Sequence, residues 1–306
     1  MPLKYHVGQI AVQAEANTRV LADRMANWVG PAADFALNAD LLLFTHLAPD
    51  NDLHFTAVSG PPPLIEIVGS GHLRIPAATN LLPPGPAGGL AINLSQARRV
   101  RLNGIVESAP DGPELDLAEV FTLCRKYLAP SLGIGDVTHA GPESRAATLW
   151  DDPAFISLVA RAETAFLATV APDGAPDVAH RGGPAGFLAY DPASHQLAWA
   201  EFIGDGVFKS AGNLRATNRF TLLVPDLETG DAYELVGHGD YENERVLRRE
   251  REAPLEQHRD AYPSQGRITG MVERVLWLGG FMRPRRHLDA AIKVTSSSHV
   301  DLQAPQ

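Results

Sequence analysis

The sequence predicts a mainly β protein with peripheral helices, built as two antiparallel barrels in tandem. Three observations predict it. Short apolar runs recur between clusters of Gly, Pro, Asp and Asn, the punctuation of antiparallel sheets rather than of strand–helix–strand units. The two halves of the chain can be laid over one another. The 306 residues, 45% hydrophobic and 20% charged, supply core for two ordinary domains. We expect an N-terminal domain over 1–140 and a C-terminal domain over 141–306.

In the first half, residues from Gln13 to Val29 read as a helix, with Val20, Leu21, Met25 and Trp28 near one face and Gly30-Pro31 ending it. Ala39–Thr45, Leu53–Val58 and Leu64–Val68 read as strands separated by PDND and SGPPP. The proline-rich stretch Leu81–Gly89 reads as a loop, followed by strands at Leu90–Leu94 and Arg99–Val106. Leu115–Leu128 carries helical spacing (Leu117, Val120, Phe121, Cys124, Leu128), and Gly133–Pro142 reads as a linker.

The second half opens on a well-marked helix. Asp152 is placed to cap it, Pro153 takes its first position, and Phe155, Ile156, Leu158, Val159 and Ala162 form its apolar face. Apolar runs then follow at Phe166–Val170, Phe187–Tyr190, Gln196–Trp199, Phe220–Val224 and Ala232–Val236. Glu242–Asp260 alternates Glu and Arg at helical spacing, and Met271–Leu278 reads as one more strand. The tail after Ala290 turns polar.

The repeat is specific. Ala48-Pro49-Asp50 matches Ala171-Pro172-Asp173, Gly60-Pro61 matches Gly183-Pro184, and Leu64-Ile65 matches Phe187-Leu188. With a slightly longer gap, Leu94, Leu102 and Gly104 match Leu227, Leu235 and Gly237.

A formal net charge of -10 speaks against nucleic acid or an anionic membrane as main partner. No apolar run reaches the length of a membrane span, and the N-terminus lacks a signal-peptide core. One cysteine, Cys124, excludes an internal disulfide, so the expected compartment is the cytoplasm. The eleven histidines show no metal-ligand spacing, and no metal is expected.

The residues that suggest chemistry lie between Phe166 and Gly237. Arg181 ends one strand and Lys209 precedes a short helical turn, with Gly182, Gly183, Gly204, Gly206 and Gly212 around them. Two cations and freely approachable backbone amides form what a phosphate group requires; the plain alternative is two solvated surface charges. The motif order is a PDG turn, HRGGPAGFL, FIGDG, FKSAGNL, Asn218 and LLVPDLETGD. It resembles the pyridoxamine 5′-phosphate oxidase-related proteins, FMN-binding split barrels, in their two-domain branch. In the first half QARRVRLNG and LCRKYL resemble segments of the same branch, with Arg125 where the family has proline.

The resemblance implies two tandem FMN-binding split barrels. It implies that Arg181, with Lys209 and Ser210, holds the FMN phosphate beside Gly182 and Gly183. The spacing from Lys209 to Asn218 is one residue longer than in the oxidase. Asn213 either donates to phosphate or caps its turn. Trp199 and Phe202 fall where the family places residues beside the isoalloxazine, or else are core. In the first half the positions of His180 and Arg181 are taken by Ala57 and Val58, and no Lys or Arg stands between Ile75 and Leu94. That barrel is expected to have lost its phosphate site.

Single-barrel relatives are homodimers with flavin at the interface, so a tandem chain can form that interface internally, the first barrel covering the ring. Arg99, within Arg98-Arg99-Val100-Arg101, is the candidate covering side chain; the alternative for this run is a solvated strand edge. The implied activity is an FMN-dependent oxidoreductase acting on a small molecule or reduced nicotinamide, though not the oxidase itself, whose C-terminal motif is not found. No general acid or base is assigned. A homodimer is the expected assembly. The alternative is a non-catalytic protein that binds or senses flavin or haem, with His180 as the haem ligand, or a scaffold with an empty site. The basic cluster Arg283, Arg285 and Arg286 is either an anion site or a solvated run.

Overall fold

The structure is a computed structural model that describes residues 5–26, 32–128, 132–133, 137–243 and 262–287. The helix expected from Gln13 is instead two helices, α1 (Val7–Ala16) and α2 (Arg19–Ala26), divided at Asn17. Asn17 adopts a left-handed conformation (φ 59°), one of the few non-glycine residues that does so readily, and it closes α1. Val20 and Leu21 are exposed rather than buried, and Trp28 lies outside the described residues.

The first barrel begins with α3 (Ala32–Leu37) and continues through β1 (Leu41–Leu47), β2 (Leu53–Ser59), β3 (Glu66–Gly69) and β4 (His72–Arg74). A short 3-10 turn at Pro76–Ala78 leads to β5 (Gly85–Asn93), β6 (Arg98–Glu107) and β7 (Glu114–Thr122). The expected loop Leu81–Gly89 is therefore half strand. The expected helix Leu115–Leu128 is a strand, β7, followed by a turn through Cys124 and Tyr127. β8 (Leu132–Gly133) is a two-residue strand, and β9 (His139–Gly141) adds to β2.

The second barrel comprises β10 (Ser144–Ala147), α4 (Pro153–Arg161), β11 (Thr164–Val170), β12 (Pro176–Gly182), β13 (Leu188–Asp191) and β14 (Gln196–Phe202). It continues with α5 (Lys209–Thr217), β15 (Arg219–Pro225), β16 (Ala232–Asn243) and β17 (Ser264–Gly279). Two-residue β18 (Arg286–His287) pairs with β8. Asp152 caps α4, its Oδ1 accepting from the amides of Ala154 and Phe155, each at 2.9 Å. The expected helix Glu242–Asp260 lies outside the described residues beyond Asn243, and Glu242 and Asn243 themselves end β16.

The two sheets have one topology. The first runs β3-β4-β7-β6-β5-β1-β2; the second, read the same way, runs β13-β14-β17-β16-β15-β11-β12. All pairs are antiparallel, and one irregularity recurs in both sheets. In each barrel the register slips at a glycine, Gly104 of β6 and Gly237 of β16. A Cβ there would strike the backbone of Asp116 or Met271 on the neighbouring strand. The tandem barrels expected from the repeat are thus present strand for strand.

Each barrel has its own core. One is built on Leu42, Phe44, Val100 and Leu102, the other on Phe155, Leu167, Leu222 and Leu235. A third cluster joins them: Leu41, Leu43, Phe55 and Leu90 of the first pack against Phe166, Ala168, Val178 and Leu223 of the second. β12 lies against β1 and β5, and β2 correspondingly lies against β11 and β15. The N-terminal helix crosses over: α1 packs on α5, and Val12 enters the second barrel's core.

The approximate two-fold relation between the barrels is inverted in charge. On one side Arg101 pairs with Asp177 at 3.0 Å and donates to the Val178 carbonyl. On the matching side Glu234 accepts from the Phe55 amide at 2.6 Å and pairs with His54 and Arg145. Likewise Glu119 of β7 meets Lys209, whereas Arg274, at the matching position of β17, meets Asp50 and Asp52. The sheet registers set these matches: Asn103 pairs with Glu119 as Val236 pairs with Arg274.

Candidate functional site

One cavity lies where β6 and the end of β7 of the first barrel meet β12, β14 and α5 of the second. Its volume is about 100 Å³. Arg99, Cys124, His180, Arg181, Phe202, Lys209 and Ser210 are among the residues lining it. The matching place across the two-fold is apolar. Ala57 and Ala232 stand for His180 and Arg99, and Phe281 and Met282 fill the space between the barrels. The first barrel therefore has no cationic counterpart at these positions.

α5 brings Lys209 and Ser210 to the cavity. Phe208, before the helix, is in a left-handed conformation (φ 55°), and no side chain caps the first turn. The leading amides of α5 are thus free of a side-chain acceptor at the positive end of the helix. α1 holds this region down. Gln13 Nε2 donates to the Val207 carbonyl at 2.8 Å, and Thr18 Oγ1 donates to Gly206 O at 2.9 Å. Gly8 and Gly212 let the helices touch, since a Cβ on Gly8 would lie 2.6 Å from Gly212 O.

Arg181 ends β12 and is one-sixth exposed. Its Nε donates to Glu201 Oε1 at 2.6 Å and its Nη1 to the His180 carbonyl at 3.1 Å. Glu201 Oε1 also accepts from Trp199 Nε1 at 2.8 Å. Lys209 pairs with Glu119, which the first barrel contributes. Both predicted phosphate cations therefore carry a carboxylate from the chain itself.

Arg99 differs. It is 4% exposed on β6, an interior strand between β5 and β7, so the reading of this run as a solvated edge is corrected for Arg99 and Arg101. Arg98 lies over the Phe35 ring at 4.4 Å. The Arg99 guanidinium meets His180 Nδ1 and the carbonyls of Cys124 and Lys126, and its Nε has no partner. Burial pulls its pKa down, partly offset by Cys124 and Asp205. The buried guanidinium thus has only neutral hydrogen-bond partners and no direct ion pair, Asp205 acting on it from a distance.

His180 completes the pair. Arginine can only donate, so His180 Nδ1 accepts and the ring proton sits on Nε2. That Nε2 is buried and without a partner. Burial, with Arg99 and Arg181 beside it, holds the imidazole well below its ordinary 6.5, so it is neutral. Asp177 is not its partner but that of Arg101 and Asn103.

The sequence-predicted residues divide accordingly. Arg99, Arg181, Gly182, Lys209 and Ser210 line one cavity, and Phe202 joins them as one of its walls. Gly183 and Trp199 do not line it. A Cβ on Gly183 would lie 2.7 Å from Phe187, and Trp199 belongs to the barrel core. Asn213 faces away: it donates to Thr169 Oγ1 at 3.0 Å and accepts from Gln9 at 3.0 Å, its Oδ1 also lying 2.8 Å from His6 Nε2. It docks α1. Cys124, expected in a helix, lies in the turn beyond β7 with its side chain near Arg99. Arg285 is neither solvated nor a surface anion site, being buried 3.1 Å from Asp40. Sequence reasoning missed Glu119, 90 residues from Lys209, and the pairing of Glu201 with Arg181, 20 residues before it, because nothing in the chain marks such partners.

No family model and no curated protein matches the chain. Among solved structures it is similar to HupZ of Group A Streptococcus (18% identity, 42% of this chain and 93% of that one, TM-score 0.31). It is similar to a putative pyridoxamine 5′-phosphate oxidase from Lactobacillus delbrueckii (20% identity, 43% and 97%, TM-score 0.30). It is also similar to HutZ, described as a heme storage protein, from Vibrio cholerae (13% identity, 43% and 96%, TM-score 0.29).

Proposed function

We propose that the chain holds FMN between its two barrels and works as an FMN-dependent oxidoreductase on a small organic molecule or reduced nicotinamide. The observation that carries this is the single cavity to which two barrels bring Arg99, Arg181, Lys209 and the uncapped start of α5. The unpartnered Arg99 Nε–H and the orphaned His180 Nε2–H both call for an electron-rich acceptor there. A phosphate-sized group fits the cavity; a whole cofactor, which needs a few hundred Å³, would extend beyond it.

When bound, FMN supplies hydride or electron transfer at its ring. Arg181 and Lys209, with the amides opening α5, hold the phosphate. Glu201 keeps Arg181 in place by engaging its Nε and leaves Nη2 to the ligand. Arg99 would set positive charge beside a bound flavin, which would favour its reduced form. His180 donates from Nε2. Tyr127 and Phe202 line the cavity and form an aromatic cluster with Tyr262, the ring centroids 5.2–5.6 Å apart.

The same tautomer disfavours the haem reading. A haem iron needs a bare imidazole nitrogen, and Arg99 forces the proton onto Nε2. The test is the absorption spectrum of the purified protein after soaking in FMN, beside Arg181→Ala. Flavin bands in the parent, with affinity reduced roughly 30-fold or more in the variant, are expected from losing charge-assisted hydrogen bonds. A parent that binds no FMN contradicts the proposal, and a Soret band instead would favour haem.

A further inference from the structure

We infer that Glu119 occupies the ligand's place on Lys209, and that a phosphorylated ligand binds by displacing it. The inference rests on the phosphate seat proposed above. The two carboxylates at that seat are not equivalent. Glu201 is held from two sides, by Arg181 Nε and by the buried Trp199 Nε1, and engages Arg181 at an atom that leaves Nη2 unused. It positions its cation. Glu119 lies on the single amine that Lys209 possesses, and it comes from the other barrel. Its other partner is Asn103 Nδ2 at 2.9 Å, a donor already shared with Asp177.

Charge balance points the same way. With Glu119 in place, Lys209 and Arg181 are both neutralised. Once it leaves, the cavity as a whole sets Arg99, Lys126, Arg181 and Lys209 against Glu201 and Asp205, with Arg101 already paired to Asp177, a net charge of two that a phosphate dianion matches. A ligand without phosphate has nothing to exchange for the carboxylate. Glu119 therefore lowers the affinity for phosphorylated ligands while leaving that for their alcohols unchanged, and it links occupancy to the contact between barrels.

The experiment titrates FMN and riboflavin into the full-length parent and Glu119→Gln, following flavin fluorescence, with inorganic phosphate in a parallel thermal-shift series. Gln keeps the Asn103 contact and the shape but surrenders the charge; Glu119→Ala serves as the second variant. The variant should bind FMN about tenfold more tightly, the scale of one charge-assisted hydrogen bond, with riboflavin unchanged. Phosphate should raise its melting temperature more than the parent's. Equal or weaker FMN binding, with equal phosphate shifts, overturns the inference. If neither protein binds flavin, the FMN reading falls while the phosphate series still decides the role of Glu119.

Discussion

His180 is an imidazole that the folded chain keeps neutral. Burial does most of this, and the neighbouring guanidiniums of Arg99 and Arg181 add to it. His46 is lowered in the same sense by burial, His54 and Arg145. The unfolded chain takes up these protons near the ordinary 6.5 and the folded one does not, so protons favour unfolding. Stability is complete above about pH 7 and falls as the pH drops below about 6.5. Melting curves between about pH 8 and about pH 5 should show that slope, and His180→Gln, which can still accept from Arg99, should flatten part of it. An undiminished slope in the variant would show that His180 is not the group responsible. At this scale the sequence pointed to Arg99, Arg181 and Lys209 because cations beside glycines stand out. It misplaced Asn213 because an amide that grips another helix looks the same in sequence as one that grips a ligand.

The α1–α5 contact decides where Lys209 sits. Glycine to alanine inside a helix ordinarily stabilises by about 0.5–1 kcal/mol. At Gly212 the sign reverses, because the new Cβ would lie 2.6 Å from the Gln9 amide nitrogen and press α1 away. Gly212→Ala should destabilise by about 1–3 kcal/mol, the usual range for overpacking. It should also weaken FMN binding, because the start of α5 shifts with it. Denaturant melts and flavin titrations check the two effects together; a stabilised variant would show that the helices do not pack this closely. Strand β7 shows why this scale was only partly legible. Its two-residue period is broken at Glu119, which turns to the other barrel rather than to an apolar neighbour, and by the register slip at Gly104. What remained, Leu117, Val120, Phe121 and Cys124, fitted a helix. The second-half strands, whose barrel-facing positions carry large apolar side chains such as Leu167, Leu222 and Leu235, were readable.

The tandem architecture was legible because turn residues such as Ala48-Pro49-Asp50 recur where the strands recur, and topology follows strand order. What joins the halves was not, since it depends on pairs such as Arg101 and Asp177, 76 residues apart, and Phe55 with Glu234. The shared cluster of Leu41, Leu43, Phe55, Phe166 and Leu223 gives neither barrel a finished surface of its own. A single half should therefore be insoluble or partly unfolded, and the two halves expressed together as separate chains should copurify. Mass measurement of the soluble product decides this; a stable, monomeric half would show that the shared cluster is dispensable.

The inverted charges across the two-fold give that reunion a polarity. In a pair of identical barrels every contact appears twice, so an arginine on the axis side must face the same partner in both copies. Here two first halves would set Arg101 against His54, with no carboxylate to receive it, and two second halves would set Glu234 against Asp177, carboxylate against carboxylate. Only unlike halves satisfy both seats. The chain thus behaves as a plug and socket, and any pairing of whole molecules must use a surface other than the one that encloses the cavity.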